Sequence, residues 1–125
     1  MIIDSDVLIW YLRGKEKARK AVEQQPFSIS VVTYMEILQG MKDKTEYRLF
    51  QKQLQKWGTD IIQIDAQVSV RAMFYIQEYA PSHSMMLADA LIAATAVRNG
   101  DTLLTGNHRH YSFIPNIEID RFQQF

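Results

Sequence analysis

The sequence predicts an α/β fold, a single-domain three-layer sandwich in which helices cover both faces of a central, mostly parallel sheet of four to five strands. Three observations carry that expectation. Short apolar runs alternate along the chain with longer segments of helical period. Runs such as Ile2-Ile3 and Ile61-Ile62 are apolar at consecutive positions, as strands buried on both faces must be. Neither an internal repeat, a Gly/Ser linker nor a block of like charge interrupts the 125 residues, so 1–125 is expected to form one domain.

Each element has its own signal. Ile2-Ile3-Asp4 reads as the first strand. Asp4, Ser5 and Asp6 then offer capping side chains, Ser5 and Asp6 being sufficient for the purpose, before the apolar helical run Val7–Leu12. A polar helix from about Lys15 to Gln25 ends near Pro26, and Phe27–Val32 supplies a second strand. Thr33 begins a helix to about Met41, and its spacing from Glu36 is that of a capping box. Across Asp43–Trp57, the residues Tyr47, Phe50, Leu54 and Trp57 recur with helical period, so this helix is amphipathic. Ile61–Ile64 forms the third strand, and Asp65 caps a helix with the stripe Val68, Ala72, Tyr75 and Tyr79, ending before Pro81. Another helix spans Ser84–Arg98 and closes at Asn99-Gly100 with a left-handed residue. Thr102–Thr105 is strand four and Ile117–Ile119 a short edge strand.

Composition narrows the function. The chain has 14 Lys plus Arg against 14 Asp plus Glu, which excludes a module that holds nucleic acid by bulk positive charge. With no Cys, thiol catalysis, disulfides and zinc-thiolate sites are excluded too. The apolar run after the N-terminus is too short and lacks a basic leader, so no signal peptide is expected. Nor does any segment approach the about 20 apolar residues that span a bilayer. A cytoplasmic protein follows as the default expectation. No Walker loop, dinucleotide fingerprint or nucleophile elbow occurs.

Ligands of open α/β sheets sit beyond the carboxyl ends of the strands. Asp4 ends strand one there, Glu36 lies in the first turn after strand two, and Asn107 and His110 follow strand four. Asp89 interrupts the apolar run Met85–Ala94 early in the helix leading to strand four, where a charge needs a partner. Three carboxylates converging without a cation would repel. Oxygen donors without Cys favour Mg²⁺ or Mn²⁺, and the chemistry that suits such a cation is phosphodiester hydrolysis. Other roles are open to the same residues. Glu36 can cap its helix, Asp6 can cap the first one, and His83, His108 and His110 can be ordinary loop residues.

Taken together, Ile2-Ile3-Asp4-Ser5-Asp6-Val7-Leu8-Ile9, Ser30–Gly40 around Glu36, Ala88-Asp89-Ala90–Ala96 and Leu104-Thr105-Gly106-Asn107 resemble the PIN-domain ribonucleases, in particular the VapC-like toxins of bacterial toxin/antitoxin pairs. The resemblance implies a Mg²⁺- or Mn²⁺-dependent endoribonuclease. It makes Asp4 and Asp89 the principal metal ligands, with Glu36 as third acid on metal or water. Asp6 and Ser5 become supporting residues, and Thr105 and Asn107 the polar pair that holds a carboxylate or a phosphate. The family's usual fourth Asp is replaced by His110, which favours one tightly held metal over two and leaves His110 for phosphate contact or proton donation. A small antitoxin that lays a helix in a groove, and a homodimer, are also implied. The face Tyr47, Phe50, Leu54 and Trp57 is either such a partner groove or ordinary core.

Two other functions compete. A phospho-receiver domain needs a late Lys, yet the last one is Lys56. A catalytically silent PIN-like scaffold that binds RNA or protein is kept alive by the missing fourth Asp. Setting aside Asp4, Asp6, Glu36 and Asp89 leaves ten acidic residues against 14 basic ones, so the neutral total averages a negative pocket and a positive remainder.

Overall fold

The computed structural model describes residues 1–123. Its five strands are β1 (Ile2–Ile3), β2 (Ser28–Ser30), β3 (Asp60–Ile62), β4 (Thr102–Thr105) and β5 (Glu118–Arg121). Every pairing is parallel, and the order across the sheet is β3-β2-β1-β4-β5. The chain therefore builds outward from β1 to β3, then returns to the other side of β1 to place β4. The β1/β4 boundary is the point where strand order reverses and where loops from both directions diverge.

Six α-helices cover the sheet: α1 (Ser5–Leu12), α2 (Glu16–Glu23), α3 (Val31–Gln39), α4 (Lys44–Trp57), α5 (Ala66–His83) and α6 (Leu87–Arg98). Side chains alternate across a strand, so neighbours on β1 and β4 enter opposite layers. Ile2 and Leu103 pack with Val68, Ala72 and Tyr75 of α5 and with Ile92 and Ala93 of α6. Ile3 and Leu104 pack instead with Val7 and Leu8 of α1, Val22 of α2 and Phe50 and Leu54 of α4. The three-layer sandwich expected from sequence is present. Among the described residues no helix is long and apolar enough to cross a membrane.

Several boundaries differ from expectation for local reasons. The Ser30 hydroxyl accepts the Val32 N–H at 3.0 Å, so α3 begins at Val31, β2 stops short and Glu36 falls in the second turn. The expected Thr33/Glu36 capping box does not form, because Thr33 is already inside the helix. Asp4, not Ser5 or Asp6, is the N-cap of α1, taking the Ser5 N–H at 2.8 Å. Helix α5 runs through Pro81, which lies in its last turn, and ends at Ser84 in the left-handed region (φ 53°). That leaves Met86 extended and starts α6 at Leu87, with Asp89 in its first turn. β3 closes at Ile62, two residues early, while β5 extends to Arg121 along β4.

Candidate functional site

The first residue after β1 and the last of β4 meet at the reversal point. Asp4 is only 4 % exposed, and its N–H donates to the Leu104 carbonyl at 2.9 Å, which stitches the two strand ends together. Its Oδ2 accepts from the Thr105 hydroxyl at 2.8 Å and the Tyr111 hydroxyl at 3.0 Å. Burial, reinforced by the charge of Asp6, pushes the Asp4 carboxyl up to about 7 despite these donors. Asp89 is reached from α6. Its Oδ1 accepts from the same Tyr111 hydroxyl at 3.2 Å, and its Oδ2 lies 3.1 Å from His110 Nδ1.

Glu36 approaches from α3. The Ser5 hydroxyl donates to its Oε1 at 2.6 Å and lies 3.1 Å from the Thr33 hydroxyl, so buried Ser5 links the third acid to the cap residue beside it. Asp6 is held on the other side. Its Oδ1 takes the Val7 N–H and its Oδ2 the Gly106 N–H, both at 2.9 Å, and burial raises its pKa. Gly106 is needed for that approach, since a Cβ there would stand 2.6 Å from Asp6 Oδ2. The Asn107 N–H completes the loop by donating to Thr105 Oγ1 at 2.9 Å.

Asp4, Glu36, Asp89, Ser5, Asp6, Thr105, Asn107 and His110 thus lie along one linked edge. Sequence reasoning missed Tyr111 and Gly106. Tyr111 stands directly after His110 in a segment to which the sequence assigned no element, and Gly106 is visible only as the middle of Thr105-Gly106-Asn107. The face Tyr47, Phe50, Leu54 and Trp57 packs largely into the core, while Phe50 also lines the open groove. Phe50 and Leu54 are buried, Tyr47 is half-buried, and Trp57 packs edge-on against Tyr11 at 5.1 Å and against Phe27 at 5.5 Å. The open groove lies beside that face. About 560 Å³ in volume, it is lined by Ile9 and Leu12 of α1, Glu36 of α3, Met41, and Leu49 and Phe50 of α4. A second cleft, about 480 Å³, runs from Asp6 past Trp10, Asn107 and Arg121.

Does this edge fit a divalent cation? Among the described residues no Lys or Arg pairs with Asp4, Asp6, Glu36 or Asp89, and half-exposed His110 is the one basic group in contact. Four carboxylates held by hydroxyl and amide donors and one imidazole form an oxygen-rich, negative set that suits Mg²⁺ or Mn²⁺. Among the described residues no three His, Asp or Glu side chains stand close enough to enclose an ion. Asp4 and Asp89, drawn to one hydroxyl, offer two carboxylates to a cation that keeps several waters, as Mg²⁺ does, and Glu36 is held apart by Ser5.

A parallel sheet ordered 3-2-1-4-5 with acids gathered beyond β1 and β4 is the architecture of PIN domains, and residues 1–113 match the PIN domain family model. The chain belongs to the PIN-domain family. Within it, the chain is 32 % identical to ribonuclease VapC10 of Mycobacterium tuberculosis, over 94 % of this chain and 90 % of that one. Among solved structures it resembles a toxin-antitoxin complex from Klebsiella pneumoniae (TM-score 0.75, 27 % identity, 99 % of this chain and 97 % of that one). DNA-bound VapBC from Salmonella typhimurium shares the fold at TM-score 0.80 and 23 % identity, over 98 % and 97 % of the two chains.

Proposed function

We propose that this chain is a Mg²⁺- or Mn²⁺-dependent endoribonuclease and the toxin of a toxin/antitoxin pair. The observation that carries the proposal is the pairing of Asp4 and Asp89, from distant parts of the chain, across one buried hydroxyl, with no Lys or Arg among the described residues to balance them. Similarity to a ribonuclease over nearly the whole chain supports the substrate class. Asp4 and Asp89 hold the metal. When bound, the cation supplies Lewis-acid activation of the attacking water and neutralises charge at the scissile phosphate.

The protein's own residues do the rest. Thr105 fixes the Asp4 carboxylate through Oδ2, and the Ser5 N–H fixes it through Oδ1. Glu36, oriented by the Ser5 hydroxyl, takes the proton of the attacking water. His110 hands a proton to the leaving oxygen and, beside Asp89, contributes positive charge when protonated. The cleft past Trp10, Asn107 and Arg121 gives the RNA a path, with an aromatic ring for a base and a guanidinium for phosphate. Arg13 and Lys15 flank that ring at 5.4 and 5.9 Å.

An antitoxin segment occupies the groove between α1, α3 and α4. Leu12, Met35 and Leu49 are exposed there or beside it, and the groove ends on Glu36, so a segment lying in it reaches the acids. The exposed stripe Val70, Met73 and Phe74 on α5 provides the homodimer surface. One domain spanning 1–125 and a cytoplasmic location complete the proposal. The test is total cellular RNA incubated with antitoxin-free protein. Cleavage with Mn²⁺ that chelator abolishes supports it, whereas RNA binding without cleavage replaces the enzyme with a silent scaffold.

A further inference from the structure

Tyr111 is fully buried in the α5/α6 layer, and the turn that carries it is closed on both sides. Its N–H donates to the His108 carbonyl at 3.1 Å, and its carbonyl accepts from Ile114 at 3.0 Å. A buried tyrosine needs one acceptor for its hydroxyl, and a single backbone carbonyl would suffice. Instead this hydroxyl lies within reach of Asp4 Oδ2 and Asp89 Oδ1, at 3.0 and 3.2 Å, so one proton serves two carboxylates from different elements. His110, the preceding residue, faces the other oxygen of Asp89. Consecutive residues of one turn therefore orient both oxygens of that carboxylate.

We propose that Tyr111 is a positioning residue of this centre: its hydroxyl holds Asp4 and Asp89 facing one another, so that a divalent cation binds without reorganising them. The inference rests on the assignment of Asp4 and Asp89 as metal ligands. The ring is locked in the core, so the hydroxyl keeps its place between the two carboxylates that would hold the cation. With Thr105 it occupies Asp4 Oδ2, so metal would take the lone pair of Oδ1 that the Ser5 N–H leaves free, and on Asp89 it engages one lone pair of Oδ1 and leaves the other. A phenylalanine would fill the same volume yet leave two acids with no shared donor, and they would turn apart.

The test compares native protein with Tyr111→Phe, free of antitoxin, by Mn²⁺ calorimetry and RNA-cleavage kinetics. The variant is expected to bind Mn²⁺ roughly tenfold more weakly, as loss of a hydrogen bond to a charged group implies. Its kcat should fall at limiting Mn²⁺ and recover at saturating Mn²⁺, with KM for RNA within about twofold of native. Ile114→Val, which thins the same layer without touching a carboxylate, should lower the melting temperature and leave the Mn²⁺ affinity unchanged. Should Tyr111→Phe alone fail to fold, the stability cycle is closed in the Asp89→Asn background, where the second carboxylate at the Tyr111 hydroxyl carries no charge. There Tyr111→Phe should fold, and a double variant that also fails to fold overturns the role. If native protein binds no Mn²⁺, the metal assignment itself fails. If it does bind and Tyr111→Phe matches its affinity within about twofold, or binds more tightly, the assignment stands and the positioning role of Tyr111 is overturned.

Discussion

Replacing Asp4 by Asn should abolish cleavage and at the same time stabilise the metal-free protein at alkaline pH relative to native. The folded carboxyl titrates at about 7 against an ordinary 3.8, chiefly because it is buried. A group whose pKa is raised by folding contributes stability at acid pH and loses it as pH rises through the folded value. Each unit of pH below 7 is then worth about 1.4 kcal/mol, so native protein in chelator should gain about 3 kcal/mol between pH 8 and pH 5 from this residue alone. For a chain of this length that amounts to roughly 10 °C in melting temperature. Asn cannot titrate, and the Thr105 and Tyr111 hydroxyls can turn to accept from its amide. The assay is thermal unfolding followed by circular dichroism, for native and Asp4→Asn, at both pH values in chelator. The native-minus-variant difference should change by about 3 kcal/mol across the interval, and saturating Mn²⁺ should erase the native loss at pH 8. Parallel pH profiles for the two proteins would refute the reasoning, because the buried carboxyl would then cost nothing to ionise.

Other perturbations separate the parts of the site. Gly106→Ala sets a Cβ against Asp6 Oδ2, so Asp6 must leave the Gly106 N–H. A loss of about 1–2 kcal/mol in stability and a roughly tenfold fall in kcat are expected, read by thermal melts and cleavage rates. Leu49→Glu changes a side chain 62 % exposed at the open groove. It should weaken binding of the cognate antitoxin at least roughly tenfold by calorimetry while RNA cleavage stays at the native rate.

Much of this was legible in the sequence because the controlling signals are local. The alternation of Ile2-Ile3, Phe27–Val32 and Thr102–Thr105 with helical segments specified a covered parallel sheet, and the isolated Asp89 in an apolar helix marked the second acid. What escaped depended on contacts between distant segments. Competition between Ser30 and Thr33 for the start of α3 is decided by where β2 must stop beside β3, which spacing alone does not express. The capping role of Asp4 was hidden behind two equally good neighbours. The helical stripe of α4 has one signature whether it faces a partner or the core, and the spacing does not show that Trp57 packs on Tyr11 while Phe50 reaches the groove. Tyr111 escaped for the same reason: a buried tyrosine joins two carboxylates only after β4 has been placed beside β1.

If Asp4 and Asp89 hold the cation on which RNA cleavage depends, the Mn²⁺-dependent cleavage rate must separate native protein from Asp89→Asn on the same RNA, both freed of antitoxin and shown by circular dichroism to be folded. Asn keeps the volume of Asp89 and a hydrogen-bond acceptor for Tyr111, and removes only the charge. Loss of at least about a hundredfold in rate is predicted, with the fold and melting temperature preserved. A rate within about threefold of native would contradict the assignment and move the chemistry to other residues.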